Sequence, residues 1–257
     1  MAIANDPVRI TDLHNHLVPG VDDGAATMEE SLAALCALYE EGVRTLICTP
    51  HVLLPHLDGD DALSRELDRQ RRAFDRLVTA AHRRTDMPEL GLGQEVWAPD
   101  VLQARRVATS SALSLGAGDY VLVEFGFDRL GNVNEVVRTI LDAGRRMIIA
   151  HPERYRFPAE IDPVDVIAGW RELGALLQMN VGSPTGYYPG VEPLAWRLLD
   201  AGLVDFFATD HHGPRREGVW PKEAYDALAS RGREAEARRL FSEAPAAVVR
   251  NEVLVRA

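Results

Sequence analysis

Short aliphatic and β-branched runs alternate with amphipathic helical segments along nearly the whole chain. That alternation selects a parallel sheet, because two parallel strands need a crossover long enough to hold a helix. The runs 8–13, 45–49, 89–96, 120–123, 147–150, 175–179 and 204–208 read as strands. Helices are expected over 28–41, 60–84, 100–108, 132–143, 163–173 and 193–201, with two or three more across 221–230, 234–241 and 246–254. Thr27-Met28-Glu29-Glu30 is a capping box for the first helix, and Gly42 stops it. The Arg/Glu/Asp face of 60–84 reads as simply solvated. Roughly seven strand-then-helix units result, in one domain over 1–257 without linker or repeat. Each strand runs out into His, Glu, Asp or Asn. A βα barrel gathers all strand C-termini at one mouth, so a barrel is favoured over an open sheet.

The densest stretch is Asp12-Leu13-His14-Asn15-His16, followed by the turn Pro19-Gly20-Val21-Asp22-Asp23-Gly24. Side chains alternate across a strand, so His14 and His16 share a face if the strand continues through them. Two imidazoles aimed at one point make a metal grip, and the turn can return a carboxylate to it. The polar residues at the other strand ends are His51, Glu95, Glu124, His151, Asp210 and His212. Each alone has an ordinary structural role: a hydrogen-bonded core imidazole, an N-cap, a turn acid. Gathered at one rim with Asp23, they make four carboxylates and five imidazoles, which do not coexist in a buried site without cations. So many ligands fit two or three ions sharing a bridging carboxylate. The mixture of His with Asp and Glu, without thiolate, indicates manganese, iron or zinc rather than a structural cysteine site. Three divalent ions against the four carboxylates would leave the pocket net positive, suited to phosphate.

Arg154 lies three residues past His151, in His151-Pro152-Glu153-Arg154-Tyr155. A guanidinium grips phosphate oxygens in a planar fork; the alternative is a surface salt bridge to Glu153 or Asp128. Arg215 and Arg216 follow the Asp210 motif and are weaker candidates. A net charge of −11 disfavours nucleic acid and anionic membrane as partners. No segment is long and apolar enough to span a bilayer, and the first seven residues lack a signal-peptide core. The two cysteines, Cys36 and Cys48, suit a reducing cytoplasm. Neither has an Arg six positions on, where Gly42 and Leu54 stand, so a Cys-x5-Arg phosphatase loop is absent.

Together, Asp12-x-His14-x-His16, the Asp22-Asp23-Gly24 turn, Thr49-Pro50-His51, Glu95, Val123-Glu124-Phe125, the 150–155 run and Thr209-Asp210-x-His212 resemble the polymerase-and-histidinol-phosphatase (PHP) superfamily. Within it they are similar to the manganese-dependent tyrosine phosphatases of bacterial capsule and exopolysaccharide clusters. The resemblance implies a distorted seven-stranded, TIM-like βα barrel of the PHP type, α/β in class, with three divalent ions. It implies that His14, His16, Glu95 and Asp210 hold the first ion, and that Glu95 bridges to a second held with Glu124 and His151. Asp23, His51 and His212 hold the third, and Arg154 binds the substrate phosphate. Val52 and His211 depart from the usual residues, and Gly213-Pro214-Arg215-Arg216 leaves Arg216 as an open candidate for a second phosphate-binding arginine.

The expected activity is metal-assisted hydrolysis of a phosphomonoester: phosphotyrosine on a protein, with a tyrosine autokinase of polysaccharide export as the implied partner. A phenol, with a pKa of about 10, leaves with less help than an alcohol, so a dedicated acid is unnecessary. The rivals are the same chemistry on a small phosphate such as histidinol phosphate, a non-catalytic metal-binding module, and a nuclease, which the net charge of −11 disfavours.

Overall fold

The computed structural model describes residues 8–127, 131–214 and 220–254. The strands among them are β1 (Ile10–Asp12), β2 (Val43–Cys48), β3 (His51–Leu53), β4 (Glu89–Leu92), β5 (Glu95–Trp97), β6 (Tyr120–Glu124), β7 (Arg146–Ala150), β8 (Leu176–Asn180) and β9 (Phe206–Ala208). Every pairing is parallel, in a three-stranded sheet β1-β2-β4 and a six-stranded sheet β3-β5-β6-β7-β8-β9.

Nine strands therefore stand where the sequence suggests about seven. Proline has no N–H to give a ladder, and Pro50 separates β2 from β3. Gly93 and Gln94 separate β4 from β5, so Glu95 opens β5 rather than ending a strand over 89–96. The hydrogen bonds Gly93 N–H to Cys48 O (2.8 Å) and Glu95 N–H to Pro50 O (3.2 Å) carry the pairing across this break. A Cβ on Gly93 would lie 2.5 Å from Leu115 Cδ2 and 3.0 Å from its Cα, so a larger residue there would have to displace Leu115.

The helices are α1 (Met28–Glu40), α2 (Gly59–Ala81), α3 (Val101–Thr109), α4 (Val133–Asp142), α5 (Pro163–Leu173), α6 (Glu192–Asp200), α7 (Pro221–Ala229), α8 (Glu234–Arg238) and α9 (Ala244–Val249). Thr27 accepts from the Glu30 N–H at 3.2 Å, as its capping position predicts, while Glu30 returns to the Ala26 N–H at 2.7 Å. Gly42 takes the left-handed φ of +100° that ends the helix. Residues 239–243 form a wider turn that divides the expected helix 234–241. The α2 face is not simply solvated. Arg69 donates to Val21 O at 2.6 Å, and buried Gln70 donates to His51 O at 2.8 Å, tying this helix to the Asp22-Asp23 turn and to β3.

Two apolar clusters follow the pleat. The larger lies between strands and helices; Val121 and Val123 of β6 belong to it. The smaller takes the other face: Leu122, Ile148, Leu176 and Phe206, with Leu13 and Ile47. Two residues further along that same face come polar groups: Glu124 after Leu122, Gln178 and Asn180 after Leu176, and Asp210 two past Ala208. The period of two thus carries the inner faces of β6 and β8 from hydrocarbon into the site, while His151 and Asp210 enter it from just beyond the ends of β7 and β9.

Candidate metal centre and active site

β1 ends at Asp12, short of the two histidines. An isolated parallel bridge, Asn15 to His211, continues the pairing next to the end of β9. Asp12 locks this junction: its carboxylate accepts from Thr209 N–H (2.9 Å), Thr209 Oγ1 (2.7 Å) and Asn15 Nδ2 (3.2 Å). The Pro19–Gly24 stretch folds back as the residue types require. Ala25 N–H reaches His16 O at 3.0 Å, and a Cβ on Gly24 would lie 1.9 Å from that same oxygen. Two further site residues occupy left-handed backbone, His151 (φ 33°) and Asp210 (φ 51°), a conformation costly for non-glycine residues and concentrated at functional sites.

All nine candidate ligands come together at this mouth. Glu95, 1% exposed, is the centre. Its Oε1 lies 3.3 Å from His14 Nε2 and 3.0 Å from His151 Nε2; its Oε2 lies 3.4 Å from His16 Nε2 and 2.9 Å from His51 Nδ1. Asp210 Oδ1 lies 3.5 Å from His14 Nε2 and 3.3 Å from His16 Nε2. Asp23 Oδ1 faces His51 Nε2 at 3.4 Å and His212 Nε2 at 3.5 Å. Three sets converge closely enough to share an ion, with donor atoms within 4.8 Å: His16, Asp23, His51 and His212; His14, His16 and Glu95; and His51, Glu95 and Glu124.

The chemistry of these donors fits divalent cations. Glu95 Oε2 and His51 Nδ1 are buried 2.9 Å apart without forming a hydrogen bond. The Nε2 atoms of His14 and His16 approach to 3.3 Å. The far nitrogens are held by acceptors: His14 Nδ1 donates to Gln178 Oε1 (2.9 Å), His16 Nδ1 to Asp22 Oδ2 (2.8 Å) and His212 Nδ1 to Asp210 O (2.8 Å). An imidazole that donates through Nδ1 presents Nε2 as a lone pair, which is how metal-ligating histidines are oriented. Gln178 and Asp22 escaped the sequence reading. The signal for Gln178 was its alternation with Asn180 in an otherwise apolar strand.

Arg154 pairs with Asp210, not with Glu153 as the sequence allows: Nη1 lies 2.7 Å from Asp210 Oδ2. Its guanidinium lies over the rings of Tyr188 (4.4 Å) and Phe127 (4.9 Å), which restrict its direction. Asn180 Nδ2 donates to the same Asp210 oxygen at 2.8 Å. Glu153 turns away, accepting from Ser183 Oγ and Asn180 N–H. Asp128, Arg215 and Arg216 fall outside the described residues. Cys48 is buried, and burial pushes its thiol far above the ordinary range, the reverse of what a nucleophile needs.

Stripped of divalent ions, the cluster would balance its charge with protons. Burial opposes ionisation of Glu95, yet the His14 and His51 charges hold it well below the usual carboxylate range. Burial and the neighbouring Glu95 charge raise Glu124 to about 7. Burial and the His51 charge oppose protonation of His16, but Asp210 and Asp22 hold it up at about 9. Burial likewise opposes protonation of His51, while Glu95 and Asp23 hold it up at about 11. Raised imidazoles stabilise the fold fully below their unfolded pKa of about 6.5 and cease to do so as pH climbs through the folded values. Thermal unfolding of chelator-treated protein therefore shows a falling midpoint from pH ~6.5 through 9 and toward 11. Divalent ions replace those protons and flatten the profile. A chelated protein whose midpoint stays level or rises over that range contradicts this charge balance.

A parallel α/β fold of this kind recurs among solved structures. The lactonase Lmo2620 from Listeria monocytogenes matches over 95% of both chains with a TM-score of 0.51, but at 12% identity it is a likeness of fold alone. A structure of YwqE from Bacillus subtilis and CpsB from Streptococcus pneumoniae, described as unique metal-dependent tyrosine phosphatases, matches with a TM-score of 0.78 and 26% identity over 96% of this chain and 97% of that one. The tyrosine-protein phosphatase YwqE of Bacillus subtilis (strain 168) is 32% identical over 83% of this chain and 81% of its own length. The tyrosine-protein phosphatase CpsB of Streptococcus pneumoniae is 26% identical over 95% of this chain and 99% of its own. Residues 10–250 match the family model for capsular polysaccharide synthesis, CpsB/CapC. The chain belongs to the CpsB/CapC family.

Proposed function

We propose that this protein is a metal-dependent phosphatase that removes phosphate from tyrosine on a protein substrate. One observation carries the reading: four carboxylates and five imidazoles meet at one mouth beside an arginine already aimed into it. The family and the names of its relatives agree. His14, His16, Asp23, His51, Glu95, Glu124, His151, Asp210 and His212 would hold three divalent ions, manganese in preference to iron or zinc, with Glu95 shared. Bound there, such ions supply Lewis acidity that polarises phosphoryl oxygens and brings the pKa of water toward neutrality.

The chain's own groups do the rest. Gln178 and Asp22 keep His14 and His16 in the tautomer that faces the centre. Arg154 forks onto the substrate's phosphoryl oxygens, oriented by Asp210, Tyr188 and Phe127. Arg216 is the sequence's candidate for a second such contact. The phenolate leaves without a dedicated acid, its pKa being about 10. We read the two sheets as arcs of one distorted seven-stranded barrel in a single domain, supported by the hydrogen bonds across the β2–β3 break and the Asn15–His211 bridge. The implied setting is cytoplasmic control of capsule or exopolysaccharide synthesis, with a tyrosine autokinase as substrate; no helix among the described residues is long and apolar enough to cross a membrane.

The test compares turnover of a phosphotyrosyl peptide and of histidinol phosphate by manganese-loaded protein. Hydrolysis of the peptide, abolished by a chelator, is expected. Preference for histidinol phosphate would move the assignment to the small-phosphate rival. Inactivity on both, with metals bound, would favour a non-catalytic module.

A further inference from the structure

A groove of about 620 Å³ opens directly off the metal centre. Its floor includes Asp23, His51 and Glu124, three of the nine candidate ligands. Its walls are of another character: Leu53, His56 and Leu57 after β3, Trp97 of β5, and Phe127 beyond β6. Leu53 at the lip is 38% exposed. The His56 and Trp97 rings meet edge-on at 5.4 Å. Phe127 stacks on His151 at 5.5 Å and also lies under the Arg154 guanidinium. One ring therefore borders both the phosphate-binding arginine and the groove. Gly126 permits this, since it has a φ of +86° and a Cβ there would meet Trp97 Nε1 at 3.2 Å.

A phosphomonoester held at the centre must place its leaving group somewhere. Toward Asp210 the space is taken by Arg154. Toward His51 it opens into a groove whose walls are aromatic and aliphatic, a surface that gains little from water and much from a ring. We propose that this groove is the aryl subsite: it takes the phenyl ring of a phosphotyrosyl side chain against Trp97 and Phe127, and so favours aryl over alkyl phosphomonoesters. This rests on the phosphatase reading and adds the origin of its specificity. Arg69 and Glu66, paired at 2.6 Å on α2, line the same groove and meet the peptide beside the ring.

Two measurements test it on the full chain. In the first, Trp97→Ala and Leu53→Asp are assayed with manganese on a phosphotyrosyl peptide and with inorganic phosphate as inhibitor. Each raises KM for the peptide about tenfold and leaves phosphate inhibition unchanged. Leu53 lies at the lip, so its variant serves if Trp97→Ala does not fold. Parallel loss of peptide and inorganic phosphate binding, or no change in either, overturns the subsite. In the second, the zinc-loaded chain, which is diamagnetic, is titrated with phenylphosphonate and with methylphosphonate while the Trp97 indole N–H resonance is followed. A shift with the phenyl compound alone upholds the groove; equal shifts, or none, overturn it. If the unaltered chain hydrolyses no phosphomonoester, the phosphatase reading falls, and the phosphonate titration still decides the groove.

Discussion

Glu95→Gln loses its divalent ions at limiting metal and, with them, phosphotyrosyl turnover. The carboxylate is 1% exposed and touches four imidazoles, with both oxygens engaged. The amide has the same shape, so packing is preserved and the change is electrostatic. It removes the one negative charge that His14, His16, His51 and His151 share, and it puts an amide N–H, which cannot ligate a cation, where a carboxylate oxygen stood. Removing one partner from a buried charge set costs about 3–5 kcal/mol. At about 1.4 kcal/mol per decade, that is roughly two to three and a half orders of magnitude in metal affinity. Mass spectrometry of metals after dialysis at limiting manganese measures the stoichiometry, and kcat/KM on the peptide measures the consequence. Exposed Glu89→Gln on β4 is the control. Unaltered stoichiometry in the Glu95 variant would remove this residue from the centre.

Arg154→Ala has the second largest effect and the opposite signature. Its guanidinium is held by Asp210 at 2.7 Å and by two aromatic faces. Burial works against the cation, but Asp210 together with Tyr188, Glu153 and Glu95 more than offsets it and raises the arginine above its ordinary range. A cation so fixed needs no reorganisation when charge develops on the phosphoryl oxygens, and deleting one such donor costs about 10²–10³ in rate. Turnover falls by that factor, inhibition by inorganic phosphate weakens, and the metals stay at full stoichiometry. Arg154→Lys recovers only part of the loss, because an ammonium lacks the planar fork. Unchanged phosphate inhibition in the alanine variant would place Arg154 outside the substrate site. Joint loss of metals and phosphate binding would instead mark it as a support for Asp210.

The architecture was legible wherever the chain's period was strong. The helix expected over 163–173 is α5, Pro163–Leu173, bounded by an Asp162 cap and a left-handed Gly174. The capping Thr27 and the stop at Gly42 likewise act through the few residues around them. The break at Pro50 was local too and could have been read, since a missing N–H is a property of one residue. The division at Gly93–Gln94 was not legible. Gly93 there packs against Leu115, a residue 22 positions further along the chain.

Chemistry divides along the same line. The sequence alone determined which residue types cluster near the strand ends, and pleating, which the backbone imposes regardless of its surroundings, determined that Glu124 shares the inner face of Leu122. Tertiary structure decided everything that needs two distant segments at once. It made Glu95 the hub for imidazoles from 44 to 81 residues away in the chain, gave Arg154 to Asp210 rather than to its neighbour Glu153, and used Gln178 and Asp22 to set imidazole tautomers. It also turned a charged face of α2 into a brace for the Asp22-Asp23 turn. Hydrogen bonds and charge pairs act over a few ångströms of space, and separation in sequence does not report that distance until the strands have been laid side by side.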